Sequence, residues 1–152
     1  MKALAIETAS RQMGVAVVSD GELLSSYELL ADFPHAVELP GAVTRVLQAA
    51  GLALPDVDAV IVDIGPGSFT GLRIGLSFVK ALVYRSHTVV VGVPSLDVLA
   101  ANLTASSISV CPVIDAKQRN VYTARYRPGP HGLAKDEEYR LGPPAEVIPA
   151  SK

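Results

Sequence analysis

The sequence predicts an α/β fold in which a mixed β-sheet is flanked by helices, followed by the start of a second, similar domain. Three strand-like segments open the chain, Val/Ile-rich runs then alternate with helical periodicity, and a new series of strands begins at Ile108. The 152 residues suffice for one domain and part of another. The stretch Thr104–Ser107 has the weakest helical or strand pattern between the periodic segments and marks the boundary. We therefore expect a first domain over 1–104 and an incomplete second over 105–152.

The opening segments read as an antiparallel meander of three strands. They cover Lys2–Glu7, Met13–Val18 and Glu22–Leu30. Asp20-Gly21 predicts a two-residue hairpin turn between the last two strands, because Asp-Gly is a preferred pair for such turns.

Apolar residues at helical spacing predict a first helix over His35–Ala50, closed by Gly51 at its C-terminal cap position. Pro40 should end or kink the first turn of this helix. The run Ala59–Val62 then has the Val/Ile character of a strand buried on both faces.

The middle and end of the chain continue the alternation. A second helix is expected from Ser68 or Phe69 to about Tyr84, a buried strand over Thr88–Val93 and a short helix over Leu96–Asn102. Further strands are expected over Ile108–Asp115, Val121–Arg127 and Glu138–Leu141, with a turn-rich segment at 128–132 and the first turn of a helix at 143–148.

Composition narrows the functional classes. The net charge is −2 and the 13 basic residues are scattered, which argues against tight nucleic-acid binding and makes any contact with RNA indirect. No apolar run approaches the roughly 18 residues of a spanning helix, so we expect no membrane association. Cys111 is the only cysteine; it has the setting of a buried strand position and fits a protein of the reducing cytoplasm.

The glycine-rich turn Gly65–Gly67 lies between a buried strand and a helix, and its chemistry has two interpretations. Backbone N–H groups near Gly67, with Ser68 at the helix N-terminus, could bind a phosphate. The spacing, however, fits neither GxxxxGK[ST] nor GxGxxG. Alternatively, the glycines serve a tight turn and Ser68 is only the N-cap.

The helix after this turn is apolar around nearly its whole circumference. Only Arg73, Ser77 and Lys80 form a thin polar strip, so the helix should be buried on two sides. Its own sheet covers one side, and Gly71 and Gly75 at i, i+4 spacing would allow a partner helix to approach closely. We therefore favour packing against a second protein.

Several segments together resemble the TsaB family, also called YeaZ. They are GPGSFTGLRIGL at 65–76, LAIETAS at 4–10, the start of the first helix at 35–40, VPSLDVLA at 93–100 and VIDAKQRNVYTARY at 113–126. The resemblance implies an actin-like ATPase (ASKHA, ribonuclease H-like) fold and a supporting role in the synthesis of tRNA threonylcarbamoyladenosine.

The resemblance also implies partners. These would be a TsaD-like catalytic paralogue and a TsaE-like ATPase, with a homodimer in isolation and tRNA reached only indirectly. Members of the family pair through their first two helices. By that similarity the interface would comprise His35, Leu39, Val43, Leu47, Phe69, Gly71, Leu72, Gly75, Leu76 and Val79.

Catalysis by this chain is not expected. Actin-like ATPases carry a DxGxT-like phosphate loop in the first hairpin, whereas Glu7–Ser10 contains no glycine and has Glu7 where the family usually has Asp. The remaining candidates for a nucleotide or phosphate are Thr8, Ser10, Gly67 and Ser68, so ATP binding would be weak.

Metal-ligating patterns are also missing from the sequence. The catalytic paralogue carries an HxxxH pair, whereas His35, His87 and His131 lie far apart in this sequence. Asp56, Asp58 and Asp63 read as loop carboxylates and Asp115 as structural. Lys117–Asn120 stands where the family usually has basic-basic-Gly-Glu, so no role is carried over to its side chains. We expect a non-catalytic subunit without a metal or cofactor; the alternative is a weak ATPase or glycoprotease-like enzyme of the same fold.

Overall fold

The computed structural model describes residues 1–30, 35–103, 107–130 and 132–148. Contacts divide the chain into an N-terminal unit, Met1–Val93, and a C-terminal unit, Pro94–Lys152. This division lies before the stretch Thr104–Ser107, of which residues 104–106 are outside the described residues. The helix that follows Pro94 packs with the C-terminal unit, because Leu96 and Ala100 belong to the core of that unit.

The N-terminal unit is a five-stranded mixed sheet of order β3-β2-β1-β4-β5 with two helices. Strands β1 and β2 and strands β2 and β3 pair antiparallel, whereas β4 is parallel to β1 and β5 is parallel to β4. The elements are β1 (Lys2–Glu7), β2 (Gln12–Ser19), β3 (Glu22–Leu30), α1 (His35–Ala49), β4 (Ala59–Asp63), α2 (Phe69–Leu82) and β5 (Val89–Val93). A 3₁₀ turn at Leu54–Asp56 precedes β4.

Local sequence signals placed most of these elements correctly. Asp20 and Gly21 have φ angles of 51° and 89°, as the hairpin turn requires. Gly51, with φ of 68°, follows α1, and Leu52 N–H donates to the Leu47 carbonyl at 2.9 Å beyond it. Pro40 does not end α1, because the helix continues through it. Pro40 removes one N–H donor, which the buried side chains of α1 outweigh.

The core of this unit lies between the sheet and α1. Leu4, Met13, Val17, Leu39 and Val60 have almost no exposed surface. Strand β4 is buried on both faces, as its Val/Ile run predicts. The same expectation is wrong for β5, in which Val89, Val90 and Val91 are 60%, 46% and 43% exposed. Among the described residues β5 pairs only with β4 and forms an edge of the sheet.

The C-terminal unit contains α3 (Ser95–Ala101), a three-stranded sheet of order β10-β7-β6 and a separate hairpin, β8-β9. The strands are β6 (Val113–Lys117), β7 (Asn120–Thr123), β8 (Tyr126–Gly129), β9 (Gly132–Lys135) and β10 (Arg140–Gly142), followed by a helical turn, α4 (Pro144–Val147). Two predicted strands differ from these. Before β6 only Val110 pairs, with Tyr126, and the expected strand 121–127 is divided between β7 and β8.

Of the segment expected to be rich in turns, Pro128 and Gly129 lie in β8 and Gly132 lies in β9, a strand that the sequence did not indicate. Glycine and proline lower strand propensity, so the pairing here is decided by the partner strand. In the described residues, no helix is both long enough and apolar enough to cross a membrane.

Candidate protein-docking site

Helix α2 starts at the glycine-rich turn and is fixed there by the β1–β2 turn. Ser68 caps the helix, because its Oγ accepts from the Gly71 N–H at 3.2 Å. The Ser68 N–H donates to the Ala9 carbonyl at 2.6 Å, and Thr8 Oγ1 donates to the Gly71 carbonyl at 2.9 Å. The first turn of α2 is therefore held against the end of β1.

One side of α2 stays exposed after folding. Phe69 and Leu76 are 73% and 42% exposed, and on α1 the side chain of Val37 is 70% exposed. The Arg73 guanidinium carbon lies 5.4 Å from the centre of the Phe69 ring. Gly71, Gly75 and Val79 form the fully buried stripe of α2, and Ile74 and Phe78 pack partly buried against the core. Of the second apolar side predicted from the sequence, Phe69 and Leu76 therefore stay exposed in the described part of the chain.

An open groove of about 480 Å³ lies between α1 and α2. It is lined by Ala36, Leu39, Thr70, Arg73, Ile74, Ser77 and Phe78. We call these groove residues, together with Val37, Phe69 and Leu76, the α1–α2 surface. Along α2, the polar residues Thr70, Arg73 and Ser77 lie between the exposed Phe69 and Leu76 on one side and Ile74 and Phe78 on the other, and such a mixture of apolar and polar side chains is found in protein–protein contacts.

The structure divides the predicted interface residues between this surface and the core. Phe69 and Leu76 are exposed, His35 and Leu72 are half-buried, and Leu39 forms part of the groove although it is buried. The other five are core residues, which corrects their selection: Val43, Leu47, Gly71, Gly75 and Val79.

Apolar periodicity selects the buried face of a helix, which explains this error. Gly71 and Gly75 do permit a close approach, but Thr8 of the same chain occupies that position. The sequence interpretation missed Val37, Arg73 and Ser77. Their positions on the helical faces opposite the apolar stripes were the available signal.

The candidate phosphate-binding residues are engaged within the chain. Thr8 is 1% exposed and its hydroxyl donates to the Gly71 carbonyl. The Ser68 hydroxyl accepts from the Gly71 N–H as the cap of the helix. Ser10 Oγ donates to the Gln12 carbonyl at 2.8 Å, and the Ser10 carbonyl lies 3.1 Å from His35 Nε2. Gly67 is exposed beside them. The β1–β2 turn thus connects β1 with both α1 and α2.

Two carboxylates lie near this turn at the ends of neighbouring strands. Burial raises the pKa of Glu7, the nearby Asp63 carboxylate adds to the rise, and hydrogen bonds from Ala9 and Ser10 oppose it. Asp63 is buried and accepts from the Gly65 N–H at 2.6 Å, which shapes the turn before α2. Contrary to the expectation of a solvated loop carboxylate, Asp63 has a structural position in the core.

The other carboxylates considered as possible metal ligands accept hydrogen bonds from backbone N–H groups. The Asp58 carboxylate accepts from the Lys2 N–H, the Asp56 carboxylate from the Ala53 N–H, and the Asp115 carboxylate from the Lys117 N–H. Cys111 lies before β6 rather than in a strand, is half-buried, and burial raises the pKa of its thiol. Within the described ranges, no group of three or more His, Cys, Asp or Glu side chains could hold a metal; His131 lies outside them.

Comparison with known proteins identifies the family. Residues 29–148 match the family described as TsaD, tRNA N6-adenosine threonylcarbamoyltransferase. The chain is 32% identical over 127 residues to the tRNA threonylcarbamoyladenosine biosynthesis protein TsaB of Bacillus subtilis, covering 84% of this chain and 56% of that protein. The structure of YeaZ from Pseudomonas aeruginosa superimposes with a TM-score of 0.89 at 29% identity, covering 99% of this chain and 71% of that one.

The chain belongs to the TsaB (YeaZ) family. This family takes part in tRNA threonylcarbamoyladenosine biosynthesis. A more distant likeness, to a ROK hexokinase from Thermus thermophilus with a TM-score of 0.54 at 15% identity over 90% of this chain and 50% of that one, reflects the fold alone. The actin-like ATPase fold implied by the sequence motifs is thereby confirmed, and the chain spans between 56% and 64% of the length of the first two curated TsaB relatives.

Proposed function

We propose that this TsaB-family chain is a non-catalytic partner and activator of a TsaD-like enzyme in the threonylcarbamoylation of tRNA adenosine. The observation that carries the proposal is the α1–α2 surface, where Phe69 and Leu76 remain exposed after the chain has folded. Large exposed apolar side chains around a groove are typical of protein contacts. The match of residues 29–148 to the TsaD family suggests a paralogue of similar fold as the partner.

The wider assembly follows from this proposal. A TsaE-like ATPase joins the TsaD-like partner, the isolated chain forms a homodimer through the α1–α2 surface, and the complex works in the cytoplasm. The tRNA is contacted by the partner, and this chain reaches it only indirectly. Ion pairs that engage Arg125, Arg127 and Arg140 with Asp136 and Glu137 support this view, because they leave these guanidinium groups less available to phosphates.

The proposal is tested with Leu76→Glu, which places a charge at an exposed apolar residue of the α1–α2 surface. We expect this variant to lose co-purification with the TsaD-like protein of the same source and to lose activity in a reconstituted tRNA modification assay. Leu23→Glu is the matched control, because Leu23 is 62% exposed on β3 and is not among the residues of the α1–α2 surface. An unchanged complex in native mass spectrometry of Leu76→Glu would contradict the proposal.

A separate measurement addresses the absence of catalysis. The internal hydrogen bonds of Thr8, Ser10 and Ser68 support weak nucleotide binding at most, since their hydroxyls already have partners. Calorimetry with Mg-ATP and the purified chain should show little heat and no turnover. Tight binding together with ATP hydrolysis would instead favour an enzyme.

A further inference from the structure

The buried side of α2 controls where its exposed side lies. Gly71, Gly75 and Val79 recur at four-residue spacing and face the N-terminal sheet, whereas Phe69 and Leu76 point away from it. A helix packed on a sheet moves as a nearly rigid body, so any change in its depth shifts both sides together. The contacts of the glycines therefore matter for the docking surface.

Thr8 is the residue that meets both glycines. A Cβ added to Gly75 would lie well inside 3.0 Å of Thr8 Oγ1, but at ordinary contact distances of 3.5 and 3.7 Å from Thr8 Cβ and Cγ2. A Cβ added to Gly71 would collide with the backbone carbonyl oxygen of Thr8. Thr8 Oγ1 also donates to the Gly71 carbonyl at 2.9 Å. Thr8 is 1% exposed, and its side chain therefore limits how closely α2 can approach the sheet. Its hydrogen bond to the Gly71 carbonyl holds the helix at that distance.

We propose that Thr8 is a positioning residue for the docking surface, fixing the depth of α2 on the sheet and hence the position of Phe69 and Leu76. This inference rests on the proposed function, because it assumes that a partner binds these side chains. Thr8 itself is buried and does not touch the partner. Its role is to hold α2 at the distance from the sheet at which the partner can bind the exposed face of the helix.

The two glycines give the proposal a specific test. In Gly75→Ala the new methyl group collides only with Oγ1, so Thr8→Ala should relieve the collision, whereas the isosteric Thr8→Val should not. In Gly71→Ala the collision is with the backbone, so no side-chain change at Thr8 should relieve it. The paired variants separate an effect through the Thr8 hydroxyl position from general damage to the helix.

The measurement is the dissociation constant of the complex with the TsaD-like protein of the same source, with thermal unfolding recorded for each variant. Gly75→Ala should weaken the complex by about tenfold or more, as loss of an interface anchor does. Thr8→Ala/Gly75→Ala should return to the affinity of Thr8→Ala. Thr8→Val/Gly75→Ala and Thr8→Ala/Gly71→Ala should remain weak.

Val79→Ala is the structural control, since Val79 is buried on the same stripe and shortening it leaves no collision. It should lower the unfolding temperature without changing the dissociation constant. Affinity of Gly75→Ala equal to wild type, or no recovery in Thr8→Ala/Gly75→Ala, overturns the role of Thr8. If Gly75→Ala fails to fold, the double variant decides, because its failure to fold as well would contradict relief by Thr8→Ala.

Leu76→Glu separates this inference from the proposed function. When Leu76→Glu abolishes the complex and Gly75→Ala does not weaken it, the docking surface stands and only the positioning role is lost. When Leu76→Glu leaves the complex intact, the docking surface itself is wrong and the role of Thr8 in positioning it is overturned as well.

Discussion

The two units of the chain share an arrangement of three strands and are stabilised differently. Each contains three antiparallel strands in which the earliest in the chain lies at one side and the second lies in the middle: β3-β2-β1 in the N-terminal unit and β10-β7-β6 in the C-terminal unit. Strand β1 then pairs in parallel with β4 on its other edge, whereas β6 pairs only with β7 among the described residues. The same strand order therefore occurs in a full sheet and in a partial one.

The cores differ accordingly. Among the described residues, fourteen buried side chains form the apolar core of the N-terminal unit and four form that of the C-terminal unit. Polar contacts are prominent in the smaller core. Tyr126 and Tyr139 both donate hydrogen bonds to the Asp97 carboxylate, and burial together with this carboxylate raises the pKa of Tyr126. A small core thus depends more on individual polar contacts.

The largest effect is expected from Leu4→Ala in β1. Leu4 is fully buried in the centre of the larger core, and the substitution leaves a cavity. We expect a loss of about 2–5 kcal/mol in the free energy of unfolding. Urea unfolding followed by circular dichroism measures it. Leu24→Ala, at a residue that is 43% exposed on β3, is the control and should cost far less.

A smaller effect is expected from Asp97→Ala in α3. The variant leaves the largely buried Tyr126 hydroxyl without its acceptor, which costs about 1–3 kcal/mol. Hydrogen exchange should show faster exchange in α3 and β8 while β1 and β4 keep their protection. Asp97→Asn retains an acceptor oxygen and should lose less. Equal loss of protection in β1 would contradict the separate stabilisation of the two units.

The smallest effect concerns the two hairpin turns. Asp20-Gly21 in the N-terminal unit suits positive φ, whereas Gln118 and Arg119 adopt φ of 51° and 63° with side chains that resist it. Arg119→Gly should stabilise the C-terminal unit by up to about 1 kcal/mol. Arg119→Ala removes the same charge without relieving the backbone, so only the glycine variant should raise the unfolding temperature.

Much of the fold followed from local signals in the sequence. The meander, the Asp20-Gly21 turn, the Gly51 cap and the buried strand β4 were predicted from residue type and spacing. For the α1–α2 surface, periodicity predicted a helix with a second apolar side, and the family resemblance added candidate residues on both helices. The sequence did not show which residues of α2 would be buried, because glycines at 71 and 75 allow close approach either of a partner helix or of Thr8 in the same chain.

The sequence by itself determined the order of the elements in the N-terminal unit and the family, since turn chemistry, periodicity and motifs are properties of neighbouring residues. Tertiary structure decided which of the apolar residues are covered. Val89 in β5 and Val60 in β4 lie in similar Val-rich runs, yet one is 60% exposed and the other is fully buried. Burial depends on what packs from distant parts of the chain, and a local pattern contains no information on that packing.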